Sequence, residues 1–399
     1  VVFIDIDGFK AVNDNHGHAA ADKVLIEIAG RLGQAIRPVD TVARFGGDEF
    51  TLLCEELRDL GQLEAVARRV QGAFAQPFTV RGSALRLTAS MGIAYALADD
   101  GAHPTAERLL QEADSAMYAA KARGRDCFVC YDDTMREGRI TRLVTQSELR
   151  DALAYDQLTV RYQPVVDLLT EHVRSVEGLV RWRHPTRGLV SPQEFIPISE
   201  ESGIIEELGA WVLRHAVRQA SRWYQSGLRL TTSVNLSAMQ LTSPHLVATL
   251  DDVLAETALP PELLGLEITE TVLMTDVARS MTVLGVLRDR GVHIAVDDFG
   301  TGYSSLAYLK RLPVDILKID RVFVDTIATS AEDRSIAAAI IGLGHSLGMT
   351  TVAEGVETRQ QATVLRELGC DRAQGYLFAR PAHPDELDLS SARTHRVGA

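Results

Sequence analysis

Two patterning regimes divide the chain. From residue 1 to about 131, short apolar runs of β type (Val1 to Ile6, Phe50 to Cys54, Leu87 to Tyr95) are mixed with stretches of helical period, such as Asp22 to Ile36 and Ala106 to Ala122. This pattern predicts an α/β or α+β domain over 1–131. After Tyr131 the sequence turns polar. Thr134-Met-Arg-Glu137 and Thr145-Gln-Ser-Glu148 both fit a helix-starting capping box, so 132–146 reads as a helical connector. From 147 to 399 apolar strands alternate with amphipathic helices, the signal for βα units around a parallel sheet. The predicted strands are Leu158 to Val166, Val173 to Leu179, Thr231 to Leu236, Leu264 to Ile268, Val292 to Val296, Ile316 to Ile319, Thr351 to Ala353 and Ala373 to Phe378. That number in about 250 residues suits a closed (β/α)8 barrel; an open doubly wound sheet is the alternative and needs fewer strands.

Composition narrows the function. A chain of 399 residues with 46% hydrophobic and 24% charged residues is ordinary for a soluble protein of two or three domains. The net charge of -13 repels polyanions and argues against a nucleic-acid polymer as partner. A small anionic ligand is a different case, because bound divalent metals reverse the field of an acidic site. No stretch reaches the roughly 18 apolar residues that span a bilayer, and no basic-then-apolar leader opens the chain. The expectation is a cytoplasmic chain without membrane contact. The start at Val1-Val2-Phe3-Ile4, a strand pattern without an initiator Met, reads as a fragment. Four cysteines (Cys54, Cys127, Cys130, Cys370) are too few for a disulfide framework and suit a reducing compartment. Cys127 and Cys130 lack the second pair that zinc requires, and their surroundings fit a strand.

Polar residues stand at or just beyond the ends of seven successive strands: Glu177, Asn235, Glu267, Asp297 with Asp298, Lys318, Glu354 and Gln374. In a barrel these ends face one mouth, so the side chains converge. A lone acid at a strand end is ordinarily a helix cap or a surface charge. Capping does not explain acids recurring at the same end of strand after strand. Carboxylates this close need cations, and oxygen ligands with one amide suit hard ions, magnesium or manganese. Two ions roughly 4 Å apart would activate a water and clamp a phosphate, with Asp297 a plausible bridge and Lys318 positioning the water or neutralising charge.

The stretches Glu177-Gly-Leu179-Val-Arg181-Trp182, Val234-Asn235-Leu-Ser237, Glu267-Ile-Thr-Glu270, Asp297-Asp-Phe-Gly-Thr-Gly302, Leu317-Lys318-Ile-Asp320, Ala353-Glu354-Gly-Val-Glu357 and Gln374-Gly-Tyr376 resemble, in order, the EAL domain family. That family hydrolyses cyclic di-GMP to linear pGpG. The resemblance implies a TIM-like barrel with Glu177, Asn235, Glu267, Asp297, Asp298 and Glu354 as metal ligands. It places Lys318 and Gln374 near the attacking water, Arg181 and Asp320 on the ligand, and Glu270 as support for the loop from Asp297 to Leu306. One departure is visible: the name-giving Glu-Ala-Leu is Glu177-Gly178-Leu179, which removes a methyl and loosens the strand by roughly 0.5 to 1 kcal/mol.

In the first half, Gly46-Gly47-Asp48-Glu49-Phe50 would present two carboxylates at a hairpin tip, and Phe3-Ile-Asp5-Ile-Asp7 ends another strand with an acid that could complete a two-metal site for a triphosphate. With Asn13-Asp14, Gly17-His18, Asp22, Ala113-Asp-Ser-Ala-Met-Tyr118 and Lys121-Ala-Arg-Gly-Arg125, these residues resemble a GGDEF domain, the family that condenses two GTP into cyclic di-GMP. The resemblance implies an α+β, nucleotidyl-cyclase-like fold with a mainly antiparallel sheet flanked by helices, acting as a homodimer. It implies Asp5 and Asp48 as metal holders with Glu49 in support, Asn13 and Asp22 on guanine, and Lys121 and Arg125 on phosphates. Arg37-Pro-Val-Asp40 matches the family's product-inhibition motif, although Pro38 also suits a plain surface turn. His16 and His18 have no third partner at zinc spacing and read as turn residues. The family's preceding helix and Asp-x-Leu-Thr segment are missing, and Asp126 stands where the family usually has Asn. GTP binding in this half would serve either synthesis of the messenger or regulation of the barrel; the alternative readings are a non-catalytic cyclic di-GMP receptor and a net diguanylate cyclase with an inert barrel.

Overall fold

The run Val2 to Ile6 is apolar at nearly every position because both of its faces are covered. The computed structural model describes residues 1–55, 57, 60–80, 83–96, 105–300 and 309–392, with backbone alone at 11, 14–16, 60, 80, 83, 133–143 and 275. It forms two compact units, Val1–Val144 and Thr145–Ala399.

In the first unit, strands β1 (Val2–Ile6), β2 (Thr41–Gly46), β3 (Glu49–Leu53), β6 (Ala89–Ile93) and β7 (Phe128–Cys130) make a sheet in the order β2-β3-β1-β6-β7. All its pairings are antiparallel except β6 with β7. A small hairpin, β4 (Phe78–Val80) with β5 (Ser83–Leu85), lies apart and was not predicted. Helices α1 (Phe9–His16), α2 (His18–Ala35), α3 (Leu60–Gly72) and α4 (Ala106–Ala122) flank the sheet. Val2, Ile4 and Ile6 pack in one core with Val24, Ile28 and Leu32 of α2. Phe3, on the opposite face, packs with Ala113 and Met117 of α4. That second face is tight: a Cβ on Gly92 would lie 1.8 Å from the carbonyl oxygen of Ala113, so only glycine lets α4 come this close. Cys130 ends β7 and Cys127 immediately precedes it, both as free thiols, as the strand reading expects.

The helix α5 (Asp133–Ala154) runs through both predicted capping boxes. Thr145 therefore starts no helix. Its hydroxyl is buried and accepts from Arg187 at 3.4 Å, which removes the competition that a cap would offer the backbone.

The second unit is a closed barrel of β8 (Leu158–Asp167), β9 (Val173–His184), β11 (Thr231–Asn235), β12 (Leu264–Thr269), β13 (His293–Phe299), β14 (Ile316–Ile319), β15 (Thr350–Ala353) and β16 (Arg372–Gln374), with β10 (Gly188–Val190) added outside β9. From β9 through β16 the barrel strands are parallel, and helices such as Ile205–Gln225 and Ala331–Ser346 cover them. The exception corrects the expectation of a wholly parallel sheet: β8 is antiparallel to both neighbours, β9 and β16. Only residues 168–172 separate β8 from β9, too few for a crossover. Asp167 fixes the reversal, its Oδ1 accepting from the backbone of Leu169 at 3.1 Å and Thr170 at 2.8 Å. The last strand is also shorter than predicted, because the chain turns at Gly375, whose carbonyl accepts from Phe378 at 3.1 Å.

Candidate active site

Parallel strands bring the polar residues of the motifs to one mouth. Glu177 on β9, Glu267 on β12, Asp297 on β13 and Glu354 just after β15 all surround the Nζ of Lys318 on β14. The distances are 3.7 Å to Glu177, 3.2 Å to Asp297 and 2.5 Å to Glu354, and the contact to Glu267 is closer still. Lys318 is 2% exposed. Asn235 at the end of β11 donates to Glu177 Oε1 at 2.7 Å.

Adjacent residues of a strand normally face opposite sides, so Asp297 and Asp298 could not both reach the mouth from a regular β13. The strand is irregular at this point. Its register against β14 shifts between Val296 and Phe299, and Asp298 takes a left-handed φ of 53°. The bulge brings oxygens of Asp297, Asp298 and Glu354 within 4.8 Å of one another.

Four carboxylates around one buried ammonium leave an excess of negative charge. Burial, with Glu177 and Asp297 adding to it, pushes Glu267 up to about 8. Burial also raises Glu354 well above the carboxylate range and, helped by Asp297, lifts Asp298 to about 6. Lys318 is held well above its usual value: burial works against its charge, and Asp297 and Glu177 outweigh it. An all-oxygen donor set with uncompensated charge fits a hard divalent cation.

A cleft of about 290 Å³ opens beside these groups, lined by Glu177, Asn235, Asp297, Glu354, Gln374 and Tyr376 among others. Glu270 donates no atom to it. Its Oε2 accepts from Gly300 N at 2.8 Å, at the root of the loop whose residues 301–306 lie outside the described set. Asp320 caps the helix Arg321–Asp325 through Val322 N (2.6 Å) and shares a hydrogen bond with Asp298. Arg181 is half-buried and donates to the carbonyl of Val180 at 2.8 Å.

The sequence did not single out Gln163, which lines the same cleft. Barrel residues converge at the C-terminal ends of parallel strands, and β8 runs the other way, so its residue opposite Glu177 carries no such signal.

Matches to known proteins agree with this geometry. The EAL domain model covers residues 146–381. The chain belongs to the EAL domain family. A diguanylate cyclase, GGDEF domain model covers residues 1–127 ahead of it. The chain is 42% identical over 393 residues to the bifunctional diguanylate cyclase/cyclic di-GMP phosphodiesterase MucR of Pseudomonas aeruginosa, covering 98% of this chain and 57% of that protein. It is 41% identical to the cyclic di-GMP phosphodiesterase NbdA of the same organism, covering 96% and 48%. The chain thus spans about half the length of the curated relatives it matches. The solved PaMucR phosphodiesterase in complex with c-di-GMP is 43% identical with a TM-score of 0.59, covering 61% of this chain and 98% of that one.

In the GGDEF unit, β2 and β3 form the expected hairpin, with Gly47 at a φ of 50° between them and Arg44 donating to its carbonyl at 2.7 Å. Asp5 lies opposite Glu49 in the β1–β3 register and pairs with Lys121 Nζ at 2.8 Å. Burial raises Asp5 and Glu49, and each repels the other acids around it. Asp7 does not join this set: its oxygens accept from Thr88 and Ser90, both at 2.7 Å. Arg125 lies 4.0 Å from Asp7, and Asp22 is exposed on α2. Asn13 accepts from Gly17 N at 2.9 Å through its backbone, which ends α1. Arg37 and Asp40 close a turn, Arg37 N donating to Asp40 Oδ2 at 2.9 Å while the Arg37 side chain stays exposed. His18 opens α2, and the side chain of His16 lies outside the described set.

Proposed function

We propose that the EAL barrel hydrolyses cyclic di-GMP to linear pGpG with Mg²⁺ or Mn²⁺, and that the GGDEF unit binds GTP for synthesis of the messenger or for regulation of the barrel. The observation that carries this reading is the ring of buried carboxylates around Lys318 in the wall of an open cleft. Glu177, Asn235, Glu267, Asp297, Asp298 and Glu354 would hold the metal. When bound there, two divalent ions would supply an acidified water and neutralise charge at the phosphate. Lys318 adds a fixed positive charge at the same point, worth most where burial excludes competing water. By the family resemblance Arg181 and Asp320 would contact the ligand, and Glu270 holds the root of the following loop through Gly300. In the reaction a water oxygen bonds to phosphorus, one P–O ester bond breaks, and a proton from the water passes to the departing sugar oxygen, which leaves as a hydroxyl.

A non-catalytic receptor would use the same cleft without needing the full acidic set, and every acid of that set is present. The test strips the chain with a chelator and returns metal. Turnover that disappears and comes back with Mg²⁺ or Mn²⁺ supports hydrolysis. Binding of cyclic di-GMP with no linear product in either state would establish a receptor.

A further inference from the structure

Gln163 sits in mid-strand on β8, opposite Glu177, and is 7% exposed. Its amide is the middle of a chain of hydrogen bonds. Nε2 of Gln163 donates to the carbonyl of Ala379 at 3.0 Å, and its Oε1 accepts from Nε2 of Gln374 at 3.0 Å. The same Gln374 nitrogen donates to Glu177 Oε2 at 2.6 Å. Both ends of the chain, a backbone carbonyl and a carboxylate, can only accept. Each amide therefore has one orientation that satisfies the chain, and neither can flip without setting acceptor against acceptor. Gln163 must turn its nitrogen to Ala379 and its oxygen to Gln374. Gln374 must then turn its nitrogen to Glu177.

The resemblance puts Gln374 beside the attacking water, and the hydrogen bonds of its nitrogen point to a second task. The Gln374 nitrogen is already shared between Gln163 and Glu177. Its Oε1 is buried, closed to solvent and without a hydrogen-bond partner among the described residues. The other oxygen of Glu177 is held by Asn235 at 2.7 Å, so both carboxylate oxygens are fixed by amides.

We infer that Gln163 and Gln374 act as one positioning unit that sets the rotation of the Glu177 carboxylate for metal binding, with Gln163 acting only through Gln374. The inference rests on reading Glu177 as a metal ligand. Partners that orient a metal ligand typically change affinity by about 10- to 100-fold when removed.

The test is a double-mutant cycle read by binding of Mn²⁺ alone to the full chain, followed by electron paramagnetic resonance of the free ion. Gln374→Met and Gln163→Met are each expected to weaken binding by about tenfold or more, and the double variant no further than Gln374→Met alone. Gln163→Asn, a methylene too short to bridge Ala379 and Gln374, is expected to match Gln163→Met and replaces it if that variant does not fold. Unchanged Mn²⁺ affinity in the single variants would overturn the proposal, and so would losses that add. Because no substrate enters this measurement, it stands or falls separately from the hydrolysis of cyclic di-GMP. If that hydrolysis is absent while the cycle behaves as stated, the positioning unit holds and only the substrate reading fails.

Discussion

Each unit of the molecule builds an acidic site around one lysine, and the two sites differ in how far they are withdrawn from water. In the barrel, Glu177, Glu267, Asp297 and Lys318 are all at most 8% exposed, and they arrive from separate strands whose spacing the closed sheet fixes. In the GGDEF unit Asp5 is buried, while Asp48 and Glu49 lie half-exposed at a hairpin tip. Lys318 touches four carboxylates, whereas Lys121 forms its ion pair with Asp5. The lesson is that burial sets how much charge must be compensated. Water already screens the hairpin site, and the barrel site depends on Lys318 and a metal.

Removing each lysine tests that contrast with the largest expected effect. Lys318→Met leaves buried carboxylates without their ammonium and should cost about 3–5 kcal/mol in urea unfolding with chelator present. Lys121→Met at the wetter site should cost no more than about 1 kcal/mol. Equal losses would break the comparison. Turnover of cyclic di-GMP by Lys318→Met should also fall by about 10²- to 10³-fold.

The pH dependence follows from the same burial. Glu267 and Asp298 have folded values of about 8 and about 6, above their unfolded values, so the folded chain binds more protons in this range. Stability of the metal-free chain therefore falls as pH rises from about 5 to about 8. Asp315 and Asp371, whose values are lowered, act with the opposite sign, and only below the usual Asp range. Melting temperatures across this interval, with chelator and then with Mn²⁺, check the sign. A rise with pH in chelator would contradict it, and added metal should flatten the slope.

At the hairpin, Asp48→Ala should weaken Mg²⁺-dependent GTP binding by about tenfold or more, followed with a fluorescent GTP analogue. Unchanged binding would remove the hairpin tip from the nucleotide site. The smallest effect is expected at Gly178. An added Cβ there would lie 3.3 Å from the Ser233 carbonyl oxygen and from Val160 Cγ1, close but not blocked. Gly178→Ala should shift stability by less than about 1 kcal/mol, because the loss of unfolded-state freedom and the tight contact oppose each other. A larger change in the urea midpoint would show that the strand cannot give at this point.

Much of the barrel site was legible because parallel strands end at one mouth, so acids at strand ends could be gathered without coordinates. Glu267, Asp297, Lys318 and Glu354 came together in this way, and Glu177 joined them although β9 runs on past it to His184. Gln163 was illegible because it lies on β8, the barrel strand that runs antiparallel to both of its barrel neighbours. The pairing of Asp297 with Asp298 at one mouth also needed the bulge, which no alternation pattern shows. In the first unit the glycine hairpin could be read from local turn chemistry. The short hairpin of β4 and β5 could not, because three-residue strands carry too little pattern. The Thr145 capping box misled, since a threonine hydroxyl taken up by Arg187 caps nothing.

The most direct measurement is chromatography of the products formed from cyclic di-GMP and Mg²⁺ by the native chain and by Glu177→Ala side by side. Linear pGpG from the native chain, reduced by about 10³-fold or more in the variant, is the result expected when a fixed carboxylate holds the metal. Intact cyclic di-GMP with the native chain, or equal product from both, would contradict the assignment of the barrel mouth.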